Sequence, residues 1–550
     1  MRHRTRLLAL LALLAAGVAG AAERPPTAVS PAGMPGLAEL EARHALIGRV
    51  DVHIQNIFDV SDPREDRALY RAADRLHYKT RESTVRNQLL FAPGDALRGR
   101  VLEETARILR SRRYFSDAWV VPIAYDEASN TADVAVTVRD VWTLNPGLSL
   151  GRSGGSNRTK VDLEEANLLG TGSHVSLSRS KDVDRTSVIV SYADTNFLGS
   201  WWQLGADYAD NSDGRVRSLS LARPFYALDT RRAFGASASD GTSRVERWSG
   251  GAQLDQFQQT ERTGQVYYGL SEGLAQGVTT RWFAGARYDL SRFSAVPDVP
   301  VAYPLPADRR FAYPWVGWER VEDKWQTGEN VDLSGRTEDI YLGRSLYGEL
   351  GASPRSDGLR GAALFMRFVG ADAWTFGSHR QLYATATLDG RLDGGVADNV
   401  RFVAGARYFE EVTDSQTFYA ALAGTVSRNL DRDAQVLLGG DTGMRGYPLR
   451  FQGGTSSALL TLEHRVFTPW FPFRLVRVGG AVFFDAGRTW GRDYAGAVPL
   501  GMLKDVGLGL RLGNVRSGLG NVLHIDLSYA MDAPAGTKRL QVSFETKSRF

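Results

Sequence analysis

The chain has 550 residues, no cysteine and a formal net charge of +4. Its length allows more than one domain, or one large barrel with an appendage. The lack of cysteine excludes disulfides and cysteine-based metal or redox sites. Three arginines precede the first apolar stretch, and the net charge falls to +1 when they are removed with it. No large basic excess then remains that would indicate nucleic acid as a partner.

The first 22 residues predict a secretory signal peptide. The three arginines precede an apolar stretch at residues 7–18, and Ala-Gly-Ala follows it at 19–21. This order of charged, apolar and small residues is typical of a signal that is cleaved on export. The apolar stretch is shorter than the roughly 20 residues that a membrane-spanning helix needs. We predict a mature chain that begins near Ala22 or Glu23, with a Pro-, Ala- and Gly-rich linker over residues 23–46.

Residues 47–142 predict a small α+β domain of element order β-α-α-β-β. Alternation at residues 50–54 indicates a strand, and a charged stretch at 64–76 indicates a helix. Two more strands are expected at 119–123 and 134–138. The second helix is expected between the first helix and these two strands. Its apolar face is formed by Val101, Leu102, Thr105, Ile108 and Leu109.

Residues 143–550 predict an antiparallel membrane β-barrel. Helical periodicity disappears there, and apolar and polar residues alternate with a period of two. Alternation with one apolar face is typical of a transmembrane barrel, although a soluble sandwich can show it too. Here it continues to an aromatic last residue, which fits a final strand that ends at the membrane interface. The predicted C-terminal strand signal consists of Leu540, Val542, Phe544 and Phe550.

The number of strands is the weakest part of this prediction. About twenty alternating segments can be drawn between residue 144 and the end. Some of them are expected to form hairpins within long extramembrane loops. The proline-rich stretch at residues 296–310 is one such loop.

Three motifs give the chain a family resemblance. Residues 89–120, with a Gly-Asp turn and an amphipathic helix, resemble a polypeptide-transport-associated (POTRA) repeat. The run Met-Arg-Gly-Tyr at 444–447 resembles the VRGF/Y loop motif, and GGAVFFDAG at 479–487 resembles an F-x-D-x-G strand motif. In this order they are similar to the outer-membrane protein assembly factor superfamily of the BamA/TamA type. Its members combine POTRA domains with a bacterial surface-antigen-type barrel.

The resemblance implies a fold and a location. It implies a sixteen-stranded barrel in the bacterial outer membrane, with five strands after the loop motif, and a POTRA-like domain at 47–142 in the periplasm. BamA-like members carry several POTRA repeats that bind accessory proteins. This chain has room for one, so a periplasmic accessory partner is left open.

Strand parity predicts a loop lock inside the barrel. Glu463 and Asp485 have the parity of the polar faces of two adjacent strands, so both are expected to point into the lumen. A guanidinium can satisfy two carboxylates with its fixed fork of donors, and Arg445 on the loop is the candidate. The resemblance adds Gly446 and Tyr447 to this lock. In the alternative interpretation, the two carboxylates are ordinary lumen residues that are neutralised by Arg465 and Arg488.

Two other features leave alternatives open. The first barrel strand contains Pro146, which cannot donate to a strand ladder, so the seam between first and last strands is either weakly paired or merely begins at a proline. His524, Asp526 and Ser528 alternate on one face and suggest a lipase-like site. Alternating polar residues are also what any lumen face shows, and no nucleophile motif is present. We therefore predict that the chain is not an enzyme.

The predicted function is to help insert or translocate other proteins at the outer membrane. The resemblance implies outer-membrane lipids and client outer-membrane or secreted polypeptides as partners, with no cofactor, metal or nucleic acid. The alternative is a passive, porin-like or structural barrel that lacks this activity.

Overall fold

A computed structural model of the chain describes residues 31–547 with some gaps. The gaps are 32, 59–60, 62–67, 69–70, 72–73, 76, 298, 330–336, 414, 471, 473–475, 498–499 and 515–521. The predicted signal peptide, most of the first predicted helix, and Phe550 lie outside the described residues.

The N-terminal unit is a three-stranded sheet covered by helices. Its strands lie in the order β1-β3-β2, with β1 parallel to β3 and β2 antiparallel to it. The core contains buried Leu40, Ile47, Leu102 and Val136. The elements are α1 (Leu37–Ala42), β1 (Leu46–Gln55), α2 (Glu82–Arg86), α3 (Gly99–Arg110), β2 (Phe115–Asp126) and β3 (Thr131–Asp140).

The structure differs from the sequence prediction at the start of this unit and in part of helix α3. Helix α1 lies within residues 23–46, which were predicted to be a linker. Leu40 is fully buried in the core of the unit, so this part of the segment belongs to the folded domain. The apolar face predicted for α3 is partly correct, since Leu102, Thr105 and Leu109 are buried.

The rest of the chain forms a closed antiparallel barrel of twenty strands. Neighbouring strands along the chain pair with each other, and the last strand pairs with the first. The strands are β4 (Leu144–Ser153), β5 (Ser156–Glu165), β6 (His174–Lys181), β7 (Thr186–Phe197), β8 (Trp202–Asn211), β9 (Gly214–Arg223), β10 (Arg232–Ser249), β11 (Ala252–Ala275), β12 (Val278–Ala295), β13 (Arg309–Glu322), β16 (Ser345–Ser353), β17 (Ala363–Thr375), β18 (Arg380–Asp393), β19 (Val396–Thr413), β20 (Gln416–Arg428), β23 (Ser456–Phe467), β24 (Val476–Trp490), β25 (Leu503–Asn514), β26 (Val522–Ala530) and β27 (Leu540–Lys547). Two further hairpins lie outside the barrel wall. One is formed by β14 (Trp325–Glu329) and β15 (Thr337–Tyr341), and the other by β21 (Val436–Leu438) and β22 (Gln452–Gly454).

The prediction of sixteen strands is wrong. Five barrel strands follow the loop at 439–454, so the additional strands all precede it. The physical reason is that nearly every alternating segment pairs on both sides with neighbours along the wall. Some hairpins outside the wall were expected without being assigned to residues, and the two short hairpins lie there.

The barrel wall has an apolar outer face. Side chains between 46% and 61% exposed point outwards from several strands, among them Val190, Leu219, Val266, Trp282 and Val316. The inner face is polar, as in barrels that cross the outer membrane. This outer band of apolar residues supports a location in the outer membrane. No helix in the described part of the chain is long and apolar enough to span a bilayer.

The N-terminal unit is seated against one end of the barrel, which we call the domain end. Thr84 donates a hydrogen bond of 2.8 Å to the carbonyl of Gly170 in the turn between β5 and β6. Arg110 of α3 forms a bidentate ion pair with Asp339, at 2.6 and 2.8 Å. Asp339 belongs to the β14–β15 hairpin, which therefore reaches from the barrel to α3. The opposite end, with the loop at 439–454, is called the far end.

The fold does not by itself show that the N-terminal unit is a POTRA domain. Three α-helices are present in the described residues, and α1 and α2 are one to two turns long. The predicted helix at 64–76 lies mostly in the gaps.

Candidate functional site

The candidate site is the loop at residues 439–454, which we call the lumen loop, and the wall it contacts. The β21–β22 hairpin closes the base of the loop, and a short 3-10 turn at Gly440–Thr442 starts its inward course. Gly443 follows with φ of +108°, a backbone conformation that L side chains rarely adopt. This turn directs the next residues towards the inner faces of β23 to β26.

Arg445 is the centre of the contacts between the loop and the wall. Its Nε and Nη2 donate hydrogen bonds of 2.7 and 3.0 Å to the two carboxylate oxygens of Asp485. Its Nη1 lies 3.3 Å from Glu463 and 3.5 Å from Asp526. The guanidinium also stacks on the ring of Phe483, 3.3 Å from the centroid. One planar cation thus contacts three strands of the wall at once.

Two further arginines from the wall complete the charge balance. Arg511, fully buried, bridges Glu463 at 3.2 Å and Asp526 at 2.5 Å. Arg465 lies 3.3 Å from Glu463. Both partners proposed for Glu463 in the sequence, the loop arginine and Arg465, therefore contact it. Arg488 is on the opposite parity from Asp485 and stacks on Trp490 instead.

Gly446 and Tyr447 contact β25 closely and hold the loop against it. The Gly446 amide donates a 3.0 Å hydrogen bond to Asp505. A Cβ at Gly446 would lie 2.7 Å from the Cβ of Asp505, so the backbone can come this close only without a side chain. Tyr447 is buried, and its hydroxyl donates a 3.1 Å hydrogen bond to the carbonyl of Lys504.

The structure brings together all five residues predicted for the loop lock. Sequence reasoning missed Asp505, Asp526, Arg511 and Phe483. Asp526 had been placed on a polar face with His524 and Ser528, but nothing linked it to the loop. Asp505 has the parity of Gly507 on the same polar face, which was the available signal.

The lumen loop also contacts the tip of the first barrel hairpin. Ser153 donates a 2.6 Å hydrogen bond to the carbonyl of Gly440, and the Leu449 amide donates one of 3.1 Å to the carbonyl of Gly154. A Cβ at Gly154 would meet the Leu449 nitrogen at 2.4 Å. The loop is therefore packed against the β4–β5 turn as well as against β23 to β26.

The seam between β27 and β4 has few ladder pairs in the described residues, which end at Lys547. Phe544 and Arg152 form its one pair there, whereas β4 and β5 are paired at ten positions. Pro146 lies within β4, where it lacks an amide donor. Within the described residues, most of the edge of β4 that faces β27 has no ladder partner in β27.

The C-terminal strand signal is partly described. Leu540 and Val542 point outwards, at 59% and 47% exposed, and Phe544 forms the seam pair. Phe550 lies outside the described residues. These outward positions fit an apolar face towards lipid.

A polar cavity of about 420 Å³ lies in the lumen between the loop and the seam. Residues from both seam strands line it, including Ser153 from β4 and Ser543 from β27. His524 and Asp526 line it too, but Asp526 is bound by Arg445 and Arg511, so these residues form no nucleophile–base pair. In the described residues, no group of histidines and carboxylates is arranged to hold a metal ion.

Comparison with known proteins gives distant structural neighbours. No protein-family model and no curated protein matches the chain. Among solved structures, BamA from Haemophilus ducreyi lacking POTRA domains 1–3 shares 12% identity and a TM-score of 0.40, over 91% of this chain and 85% of that chain. CdiB from Acinetobacter baumannii shares 14% identity and a TM-score of 0.44, over 91% and 73% of the two chains. CdiB from Escherichia coli shares 14% identity and a TM-score of 0.45, over 91% and 76%. All three have TM-scores below 0.5 and identities of 12–14%.

Proposed function

We propose that the protein is a non-enzymatic insertase or translocase component of the BamA/TamA type in the outer membrane. The single observation that carries this proposal is the seam, whose described residues form one pair, whereas every other neighbouring pair of barrel strands is joined at seven or more positions. An incoming strand can pair with the free edge of β4 through main-chain hydrogen bonds, which is β-augmentation. The energy would come from the client as it folds into the bilayer.

The lumen loop supports this proposal because it holds the barrel together while the seam stays weak. Arg445 fixes β23, β24 and β26 through their carboxylates. The contacts of Ser153 and Gly154 with the same loop hold the far end of β4 in place. In this proposal, the loop keeps the edge of β4 in position to receive a client strand.

The N-terminal unit would act as a single POTRA-like domain in the periplasm. Its β1 and β2 are both edge strands of the sheet. An edge strand can hold an extended client segment by the same main-chain pairing. Its contacts with the domain end would place such a segment next to the barrel.

A passive pore is the alternative. It needs an open path through a lumen that the lumen loop enters at one end and that the N-terminal unit adjoins at the other. No specific observation favours the porin-like alternative.

A reversible cross-link across the seam tests the proposal. The chain has no cysteine, so Arg152→Cys with Phe544→Cys creates one disulfide at the single seam pair. Cα atoms of directly opposed residues in an antiparallel ladder are about 4.5–5.5 Å apart, which suits a disulfide. We expect the oxidised protein to lose client-barrel assembly and the reduced protein to regain it, measured as the abundance of outer-membrane barrels in cells depleted of the native chain.

The matched control places the disulfide across a strand pair other than the seam. Leu527→Cys with Val542→Cys joins β26 to β27 at a paired position on the same outer face. This control should leave assembly unchanged in both redox states. If depletion removes no outer-membrane barrel, or if the oxidised seam variant keeps full assembly, the proposal is wrong and the passive barrel is favoured.

A further inference from the structure

The outer face of the barrel carries a groove with a cationic rim. The groove has a volume of about 720 Å³ and spans β9 to β13. Its floor consists of small residues, and larger apolar side chains form its walls. The floor contains Ala236, Ala238, Gly264, Ala286 and Ala312, and the walls contain Leu219, Leu221, Val266, Tyr288 and Pro314.

Cations lie directly above this groove, towards the far end. Each of four groove strands carries an outward arginine two to four positions beyond its groove residues, which corresponds to about 7–14 Å along a strand. These are Arg217, Arg262, Arg292 and Arg310, and all of them are exposed.

The rim has more cations than it can pair. Arg217 and Arg262 share one carboxylate, Asp240, which holds the two guanidinium groups next to each other. Arg310 pairs with Asp357. Arg292 has no ion pair in the described part of the chain. Four cations therefore face two carboxylates, and each guanidinium keeps donors that its partner does not use.

A second groove on the barrel provides the contrast. It has a volume of about 560 Å³, lies across β16 to β23, and also has a floor of small residues such as Ala386 and Ala404. Its charged residues are Arg344 and Asp372, which pair with each other at 2.8 Å. A small-residue floor thus occurs twice, but an excess of cations occurs at only one of these two grooves.

We propose that the groove across β9 to β13 binds one phosphorylated lipid of the membrane leaflet at the far end. An acyl chain would lie on the floor of small residues, where no large side chain would block it. The phosphate would bind Arg217, Arg262 and Arg292, whose guanidinium groups match the geometry of phosphate oxygens. This inference goes beyond the proposed insertase activity and does not depend on it.

Two observations together distinguish this site from a general lipid-facing surface. An apolar band alone would contact any acyl chain, and cations alone would bind any anion. Here the two lie one above the other on the same strands, at the spacing of a lipid chain and its headgroup. The floor also has unused room, because a Cβ built at Gly264 would meet nothing closer than 3.9 Å.

The test is the thermal unfolding of the full mature chain in an uncharged detergent, with three probes. Dioctanoyl phosphatidic acid should raise the unfolding midpoint, because it binds the folded state. Dioctanoyl phosphatidylcholine and inorganic phosphate should leave the midpoint unchanged. An equal effect of inorganic phosphate would mean a free-anion site, and an equal effect of phosphatidylcholine would mean an unspecific apolar surface. Either result would overturn the proposal.

Variants separate the two halves of the site. Replacing Arg217, Arg262 and Arg292 together by Gln should weaken phosphatidic acid binding by at least about tenfold. The matched control replaces Arg232, Arg320 and Arg344, which are outward arginines at the domain end, and should have no effect. Gly264→Leu should fill the floor and weaken binding while it leaves the rim intact. Unchanged binding in both the rim and the floor variants would also overturn the proposal.

Discussion

The wall formed by β23 to β26 and the seam between β27 and β4 differ in how they are held. In the wall, β23 and β24 pair at twelve positions, as do β24 and β25. The described residues of the seam form one pair. The wall is additionally braced from inside by Arg445, whereas among the described residues of the seam the lumen loop contacts the tip of the first hairpin. The comparison shows that β23 to β26 are held both by their ladders and by the lumen loop, whereas the described seam has one ladder pair.

The largest expected effect comes from removing the cation that braces the wall. Arg445→Ala leaves Asp485, Glu463 and Asp526 without a shared guanidinium, and breaking a buried ion pair by removing one partner costs about 3–5 kcal/mol. We expect a clear loss of resistance to heat and detergent, measured as the shift of the folded form on a gel, together with lower client-barrel abundance. Secretion of the variant itself should be intact.

Two more variants show whether the effect comes from this network. Arg445→Lys should restore only part of the stability, because a point charge cannot reproduce a bidentate fork. Arg445→Ala combined with Asp485→Ala should be less than additive, since residues in one network couple. Strict additivity, or native behaviour of Arg445→Ala, would mean that the loop motif does not act as a lock in this chain.

The next effect concerns the close approach of the loop to β25. Gly446→Ala would place a Cβ 2.7 Å from Asp505, and crowding of this kind costs about 1–3 kcal/mol. Gly424→Ala is the control, because its Cβ would meet nothing closer than 3.5 Å. Protease sensitivity of the lumen loop should rise in the Gly446 variant alone. Equal sensitivity in both variants would contradict a tight fit at this position.

The strand pattern of this chain could be predicted from its sequence, but the number of strands was predicted wrongly. About twenty alternating segments were visible, and the family resemblance reduced them to sixteen. Alternation reports which face is polar, but a wall strand and a strand of an extramembrane hairpin alternate in the same way. β10 and β11, with 18 and 24 residues, show how far a wall strand can extend beyond a bilayer.

For the site, parity predicted which residues face the lumen but not which of them meet. Glu463 and Asp485 lie on adjacent strands next to a recognisable motif, and in the structure both contact Arg445. Arg511 and Asp526 had the right parity as well, yet their contact with Glu463 and Arg445 depends on the stagger of three strands. The near absence of pairing between the described residues of β4 and β27 depends on the stagger of these two strands. They are almost 400 residues apart in the chain, so no local sequence pattern contains this stagger.

A smaller effect is expected where the N-terminal unit is seated on the barrel. Arg110 and Asp339 are only 12% and 14% exposed, so their ion pair is partly shielded from solvent. Arg110→Ala should weaken the seating by on the order of 1 kcal/mol. Faster proteolysis between the unit and the barrel would show it. Arg49→Ala, which removes a 69% exposed arginine in the same unit, should not change the rate, and an equal change would argue against a specific seat.

The smallest effect is expected at the seam, and it sharpens the comparison with the wall. Arg152 supplies the one paired position of β4 with β27, and its side chain bonds only Asn157 in the described residues. Arg152→Ala should therefore change the stability of the barrel by no more than about 0.5 kcal/mol. Arg511→Ala is the matched arginine on the other side, and it should cost several times more because it leaves Glu463 and Asp526 buried with one cation fewer. Both variants are measured by the same heat shift in detergent. If the two arginines cost the same, the seam is as well held as the wall, and the proposal that it admits client strands loses its physical basis.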